Sequence, residues 1–261
     1  MKHKVLIAVD QLTDTESLLN RIESLLNKSH TKYLSLILLD EIFQESLVSA
    51  NAASGPGDKI LKKIEYEINF EKEATARWMN LELARDIVSI DQLASQSTVA
   101  DLMLFERKSL LDNYGEEQLN QLVQAVNCPV AVLPENQEHD SIVVIHDGSR
   151  NVVHMVKSFI NIFNTDLRSL PVSLFVSDPD NNFQIDSEKV FIDYLKLFFK
   201  DIGIQLMDCD AGVCLQDHIK KEQLQPILLM NTNTCQDFIN QKIFNGKITL
   251  NATTFIFKGV E

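Results

Sequence analysis

The sequence predicts an α/β fold, with two tandem five-stranded parallel sheets and helices on both faces. A short apolar run that closes on an aspartate occurs twice, at Lys4–Asp10 and at Ser141–Asp147. Each run opens a matching succession of strand-like and helix-like segments, which ends on a further apolar run, Pro129–Leu133 or Thr253–Phe257. Alternating strands and helices are joined by right-handed crossovers, which produce a mostly parallel sheet covered on both faces.

The first half opens on the clearest strand and helix signals. Val5–Val9 is continuously apolar, as expected for a parallel strand buried on both faces. Asp14 or Thr15 can then cap a helix in which leucine and isoleucine recur at helical spacing. Further strands are predicted at Tyr33–Leu39, Ala84–Ile90, Leu102–Phe105 and Pro129–Leu133, and further helices at Asp58–Asn80, Asp91–Ser97 and Glu116–Val126.

The predicted helix from Asp58 to Asn80 is the longest in the chain. Its alternating charges are typical of a solvated helix face. On the other side, we expect four apolar residues to pack onto the sheet: Leu61, Ile64, Ile68 and Trp78.

The second half repeats the pattern in weaker form. The predicted strands are Ile142–Ile145, Val172–Val176, Ile204–Met207, Ile227–Met230 and Thr253–Phe257. The predicted helices are Asn151–Phe163, Ser187–Asp201, Val213–Glu222 and Gln236–Asn245.

Two polar passages interrupt these elements. Pro134–Asp140 is short and strandless, which predicts a linker between domains at 1–135 and 140–261. Glu45–Gly57 combines small residues with Gly-Pro-Gly, so we expect it to be the least ordered internal segment.

Composition excludes several classes of function. A net charge of −13 disfavours both nucleic acid and an anionic membrane surface as partners. No apolar run reaches the 18 or so residues of a membrane span, and the N-terminal run is too short for a signal peptide. Four scattered cysteines do not suggest a disulfide framework. We therefore expect a cytoplasmic protein.

The order and spacing of four short motifs resemble those of a tandem universal stress protein. These motifs are Val-Leu-Ile-Ala-Val-Asp at 5–10, Ala-Asp-Leu-Met-Leu at 100–104, Cys-Pro-Val-Ala-Val-Leu at 128–133 and Asp-Gly-Ser at 147–149. The resemblance implies a strand order of 3-2-1-4-5 in each half, with any ligand at the switch between strands one and four. It also implies that the fifth strands pair, so that the chain forms an intramolecular pseudo-dimer; a homodimer stays open.

Members of this family that bind ATP use the first-strand aspartate and a glycine-rich loop after strand four. The resemblance therefore marks Asp10 and Asp147 as candidate nucleotide ligands. The loop itself departs from the family pattern. In the first half, Gly115 stands alone, and Glu116 replaces the hydroxyl residue expected next to the phosphates. The second half has no glycine after its fourth strand until Gly246, outside the required spacing.

Bare glycines let the backbone wrap phosphates and donate amide hydrogens to them. Their loss predicts that neither half retains a phosphate cradle, although Arg107 and Lys108 could attract an anion. An aspartate at this point of a sheet can instead cap the turn that follows, and we favour that role for Asp10 and Asp147.

Other chemical signals are weak. His146-Asp147-Gly148-Ser149 contains the residue types of a hydrolase triad, but neighbouring residues on a strand alternate faces. Cys214 and His218 share a helix face, yet they lack a second cysteine pair for zinc. The turn at 178–182 lacks the glycine and terminal glutamate of a calcium loop.

The sequence thus favours a non-enzymatic stress protein that has lost ATP binding, needs no cofactor, and acts through protein contacts or an unidentified ligand. The alternative is a stress sensor that holds ATP or AMP with Asp10 or Asp147 and an atypical loop. A hydrolase or transferase on the same scaffold is the third hypothesis. The sequence does not identify a protein partner.

Overall fold

The computed structural model describes residues 2–10, 13–43, 56–77, 79–107, 114–134, 138–177, 185–207, 211–240 and 252–259. The strands are β1 (Lys2–Val9), β2 (Thr31–Leu38), β3 (Asn80–Leu83), β4 (Leu102–Glu106), β5 (Val130–Leu133), β6 (Ser141–His146), β7 (Val172–Ser177), β8 (Ile202–Met207), β9 (Pro226–Asn231) and β10 (Thr253–Phe257). The helices are α1 (Thr15–Leu25), α2 (Leu39–Ile42), α3 (Pro56–Ala76), α4 (Ile90–Ser97), α5 (Glu116–Ala125), α6 (Asn151–Ile162), α7 (Ile185–Leu195), α8 (Ala211–Glu222) and α9 (Thr232–Asn240), with a 3₁₀ turn at Thr165–Ser169.

All ten strands belong to one sheet, so the prediction of two separate five-stranded sheets is wrong. The strand order is β3-β2-β1-β4-β5-β10-β9-β6-β7-β8. The first five strands therefore follow the expected order 3-2-1-4-5, and β10-β9-β6-β7-β8 is the corresponding order of the second five read in reverse. The α/β class and the parallel pairing are confirmed: β1 pairs with β2 and β4, and β6 pairs with β7 and β9, all in parallel.

The chain divides into two compact units, residues 1–130 and 131–261. Most of β5 thus belongs to the second unit, where β5 and β10 are neighbours in the strand order. The predicted domain limits, 1–135 and 140–261, stay a prediction, because residues 135–137 of the proposed linker lie outside the described residues. The same holds for the expected disorder of Glu45–Gly57, almost all of which is undescribed.

The core of each unit is built on its central strands. Every residue of β4, β5, β6, β9 and β10 is buried, as are the last five of β1. Strands covered by helices on both faces must be apolar throughout, which is why these runs were recognisable in the sequence.

Three of the four residues predicted to face inward from α3 do not do so, and the fourth, Trp78, lies outside the described residues. Ile60, Leu61, Ile64 and Ile68 are exposed, whereas Tyr66, Phe70 and Ala74 are buried. Both sets recur at helical spacing, so periodicity alone cannot choose between them. The helix turns the face with the two aromatic rings towards the core.

The third strand lies before its predicted position. Asn80–Leu83 pairs with Tyr33–Leu36, whereas the predicted segment, Ala84–Ile90, contains a turn and an irregular stretch and ends on the first residue of α4. Within that segment only Ile87 is buried among the apolar residues, and Ser89 caps α4 by accepting a hydrogen bond from the Gln92 amide.

Candidate functional site

The carboxyl ends of β1, β2 and β4 carry a group of polar side chains in the first unit. Parallel strands bring such ends to one edge of the sheet, where α/β proteins bind ligands at the switch in strand order. We call Asp10, Arg21, Asp40, Glu106 and Tyr114 the first-unit cluster.

Asp10 directly follows β1 and is buried, with 3% of its surface exposed. Its Oδ1 accepts a hydrogen bond from the Thr13 hydroxyl at 3.0 Å. The next aspartate, Asp14, caps α1 by accepting hydrogen bonds from the amides of Glu16 and Ser17. Asp10 is thus bonded to a residue between β1 and α1, and whether it contacts a ligand stays a prediction.

Arg21 and Glu106 form a buried ion pair beside this turn. Arg21 lies on the inner face of α1, and Glu106 is the last residue of β4. The Arg21 Nη2 donates to Glu106 Oε1, and both side chains are less than 10% exposed. A carboxylate and a guanidinium therefore neutralise each other at the strand end where a ligand phosphate would otherwise need a cation.

Tyr114 contributes a second polar contact to the cluster. Its hydroxyl donates to Asp40 Oδ1, and its ring lies 5.1 Å from that of Phe43, centroid to centroid. Burial raises the pKa of Tyr114, and the hydrogen bond to Asp40 raises it further. Burial likewise raises the pKa of the Tyr66 hydroxyl, to which the charges of Asp10 and Glu106 add. Both phenols are therefore neutral donors at physiological pH.

The chain after β4 is described only at its two ends. Arg107 is buried, and residues 108–113 lie outside the described residues. Gly115 has a positive φ of 88° and precedes α5, a backbone conformation that favours glycine. Glu116 is the first residue of α5, and its Oε1 is buried with no hydrogen-bond partner among the described residues. The negative charge of a phosphate group at this end of the helix would repel the Glu116 carboxylate.

The second unit builds its switch point around Asp147. This residue follows β6, and its Oδ2 accepts a hydrogen bond from the Asn231 amide group at the end of the neighbouring strand, β9. Its Oδ1 accepts from the Ser149 amide at 3.0 Å. Asn231 also caps α9, because its Oδ1 accepts from the Thr234 amide at 2.9 Å. A single asparagine thus joins the first-strand aspartate to the helix that follows β9.

The environment of Asp147 keeps it ionised. Burial opposes ionisation, but the hydrogen bonds from Ser149 and Asn231 outweigh burial and lower the pKa of the carboxyl. Next to it, His146 is buried, and its Nδ1 accepts from the Gly148 amide at 2.9 Å. The His146 ring also contacts Phe191 edge to face. His146 is therefore held by the backbone and by packing, in an arrangement unlike a hydrolase triad, in which the histidine faces a nucleophilic hydroxyl.

Sequence reasoning located Asp10 and Asp147 at the correct strand ends but missed most of their neighbours. It did not single out Arg21, Asp40 or Tyr114. A signal was present for Asp40, which closes an apolar strand just as Asp10 does. Nothing in the sequence paired Arg21 with Glu106, since 85 positions separate them.

The described residues contain no cluster of three or more histidine, cysteine or acidic side chains that could hold a metal. Cys214, half of the weak zinc signal, is disulfide-bonded. Cys128 and Cys235 are buried thiols, and burial raises the pKa of the Cys235 thiol to about 12. In the described part of the chain, no helix is long and apolar enough to cross a membrane.

Comparisons with known proteins bear on the fold. A universal stress protein from Archaeoglobus fulgidus DSM 4304 superposes with a TM-score of 0.65, over 99% of this chain and 97% of that chain, at 8% identity. The chain has the fold of the universal stress proteins. A structure assigned to the same proteins, from Pseudomonas aeruginosa UCBPP-PA14, gives a TM-score of 0.55 over 98% and 93% of the two chains, at 12% identity.

A functionally unknown protein from Pseudomonas aeruginosa PAO1 also superposes on the chain, with a TM-score of 0.53 over 98% of this chain and 92% of that chain, at 11% identity. No protein-family model matches the chain, and no curated protein matches it. At such low identities the likeness establishes the fold, and the residues of the two switch points carry any argument about function.

Proposed function

We propose that this chain is a non-enzymatic, cytoplasmic protein of the universal stress type that does not bind ATP and acts in the stress response through contacts with other proteins. Its fold supports the family assignment on which the stress role rests. The observation that carries the loss of ATP binding is the engagement of both switch-point aspartates by the chain's own side chains.

In the first unit, Asp10 is buried and bonded to Thr13, and Arg21 is neutralised by Glu106. A nucleotide would have to displace these contacts, and its phosphates would be repelled by the Glu116 carboxylate at the start of α5. In the second unit, the bond from Asn231 to Asp147 spans β6 and β9, the two strands between which the ligand of such a sheet lies. Opening either site therefore costs hydrogen bonds, and in the first unit the buried Asp10 cannot replace them readily with bonds to water.

A second candidate is an adenine-nucleotide sensor that uses the second unit alone. Asp147 and Ser149 are only partly buried, and Gly148, with a φ of 80°, is exposed. This arrangement leaves more access to Asp147 than to Asp10.

Isothermal titration with Mg-ATP and with AMP tests the proposal. We expect no dissociation constant tighter than about 1 mM, equivalent to about −4 kcal/mol. A micromolar constant for the wild-type protein overturns it. Loss of that constant in Asp147→Asn, with retention in Asp10→Asn, would then assign the nucleotide to the second unit.

A thermal-shift measurement provides an independent check. A ligand at 100 times its dissociation constant stabilises the folded state by about 2.7 kcal/mol. We expect no shift of the melting temperature at millimolar ATP beyond that given by equal ionic strength of sodium sulfate.

A further inference from the structure

The strand at one end of the sheet is open along its whole length. β8 pairs with β7 on one side and ends the strand order, so on its other side no strand of the described residues pairs with it. Its sequence, Ile-Gly-Ile-Gln-Leu-Met, contains no charged residue and no proline. The middle of the strand is exposed, with Ile204 at 47% and Leu206 at 73%.

The opposite end of the sheet is protected in the ways that natural edge strands usually are. β3 has four residues, Asn80–Leu83, and carries Glu82. Arg85 lies two residues after the strand and pairs with Glu67. Short length and charge discourage pairing with another strand, whereas a long, uncharged edge with apolar side chains is a template for it.

We propose that β8 pairs antiparallel with β8 of a second copy of this chain, about a two-fold axis that passes through Gln205. The proposal deepens the proposed function, on which it rests, by naming a second copy as one protein that the chain contacts. The backbone of each edge supplies the N–H and C=O groups that the other needs.

The side chains of β8 are self-complementary in this register. Residues directly opposite each other in an antiparallel pair lie on the same face of the sheet. With the axis at Gln205, Ile204 of one copy faces Leu206 of the other, twice, and the two Gln205 amides face each other. The exposed apolar pair is thereby covered. Each Gln205 side chain also faces an amide group that can both donate and accept a hydrogen bond.

The face that carries Gln205 is already partly covered within each chain. Gln205 Nε2 lies 3.5 Å from His218 Nδ1 on α8, and the His218 ring contacts Phe175 of β7 edge to face. The opposite face, with Ile204 and Leu206, is the more exposed one and gains most from pairing. A parallel pairing of the two edges would lose the two-fold symmetry that makes the contact closed.

The first experiment is sedimentation velocity on the full chain from about 1 μM to about 1 mM, a range that spans weak to moderate dimerisation. We expect the wild-type mass to rise from 29.6 kDa towards twice that value. Leu206→Lys should weaken dimerisation at least tenfold, because lysine on an edge strand opposes pairing. Ile68→Lys, which places the same charge at a comparably exposed isoleucine on α3, should dimerise like the wild type.

The second experiment tests the register and does not depend on how well Leu206→Lys folds. Across an antiparallel pair, opposite Cα atoms are about 4.5–5.5 Å apart, within the span of a disulfide. Gln205→Cys should therefore form a covalent dimer under mild oxidation beyond the wild-type level. Ile202→Cys is the control, since six positions of offset separate its two copies by roughly 20 Å.

Three results would overturn the proposal: a monomer over the whole concentration range, a dimer that Leu206→Lys leaves unchanged, or a dimer in which Gln205→Cys does not cross-link. None of them touches the proposed absence of ATP binding, which fails only if the nucleotide titration gives a micromolar constant. A monomeric protein would leave the β8 edge to an extended segment of a different protein.

Discussion

Removal of Arg21 tests whether the first-unit cluster is sealed from water. Both members of the Arg21–Glu106 pair are less than 10% exposed. At an effective dielectric constant of 20, two unit charges about 3 Å apart attract by about 5–6 kcal/mol, most of which offsets the cost of burying them. Arg21→Met leaves the Glu106 carboxylate buried without its partner, so we expect the free energy of unfolding to fall by about 3–5 kcal/mol.

The double variant Arg21→Met/Glu106→Leu removes both charges and keeps similar volumes. Its free energy of unfolding should lie within about 1–2 kcal/mol of the wild-type value. The matched control is the Asp193–Lys196 pair, in which both side chains are more than half exposed. Lys196→Met should cost no more than about 1 kcal/mol.

Urea unfolding followed by far-ultraviolet circular dichroism is the suitable assay, because helices of both units contribute to its signal, whereas Arg21 lies in the first unit and Lys196 in the second. The midpoint and slope together give the free energy. A loss in Arg21→Met no larger than that in Lys196→Met would refute the reasoning. Arg21 would then be solvated and available to an anion, which favours the nucleotide alternative.

Three further predictions concern stability. Ile68→Lys should change the free energy of unfolding by about 0.5 kcal/mol or less, whereas Phe70→Ala should lower it by about 3–5 kcal/mol, since only Phe70 is buried. Equal losses in urea denaturation would mean that the face of α3 predicted from the sequence packs on the core after all. Burial lowers the pKa of His139 from 6.5, so the unfolded chain binds a proton more readily than the folded chain does. The free energy of unfolding should therefore fall as the pH drops through 6.5. In His139→Gln, the melting temperature should fall less steeply between pH 7.5 and pH 5.5. Asn231→Ala removes the α9 cap and a partner of Asp147, so we expect a loss of about 1–3 kcal/mol, and a calorimetric melt indistinguishable from the wild type would contradict the bond between β6 and β9.

The sequence predicted the fold more fully than the arrangement of its surfaces. Buried parallel strands are largely apolar, so β1, β4 and β9 could be recognised in the sequence from their continuous runs of apolar residues. The order of the strands followed from the family resemblance. The apolar runs themselves do not encode how two five-stranded halves are joined, so the sequence pattern predicted two sheets where the structure has one of ten strands, and only the family resemblance implied that the fifth strands pair.

The face of α3 shows a different limit. Two apolar sets on one helix satisfy the same period, and the choice depends on which set fits the space above the sheet. At the candidate site, Asp10 and Asp147 were predictable because each ends a strand. The partners of the cluster were not, since Arg21 meets Glu106, and Asn231 meets Asp147, only after the intervening strands have paired.

The pairing of β1 has a consequence for how the protein folds as it is synthesised. β1 can pair with β2 as soon as the first unit's opening segment has left the ribosome, but its other partner is β4, in the register Val5↔Leu102. At about 5–20 residues per second, translation from Leu38 to Leu102 takes several seconds. Throughout that interval one edge of β1, whose last five residues are apolar, has no partner, and β6 likewise has no partner on its β9 side until β9 has been synthesised. Unpaired strand edges favour aggregation, so a pause in translation between β2 and β4 would lengthen the interval in which the nascent chain can aggregate.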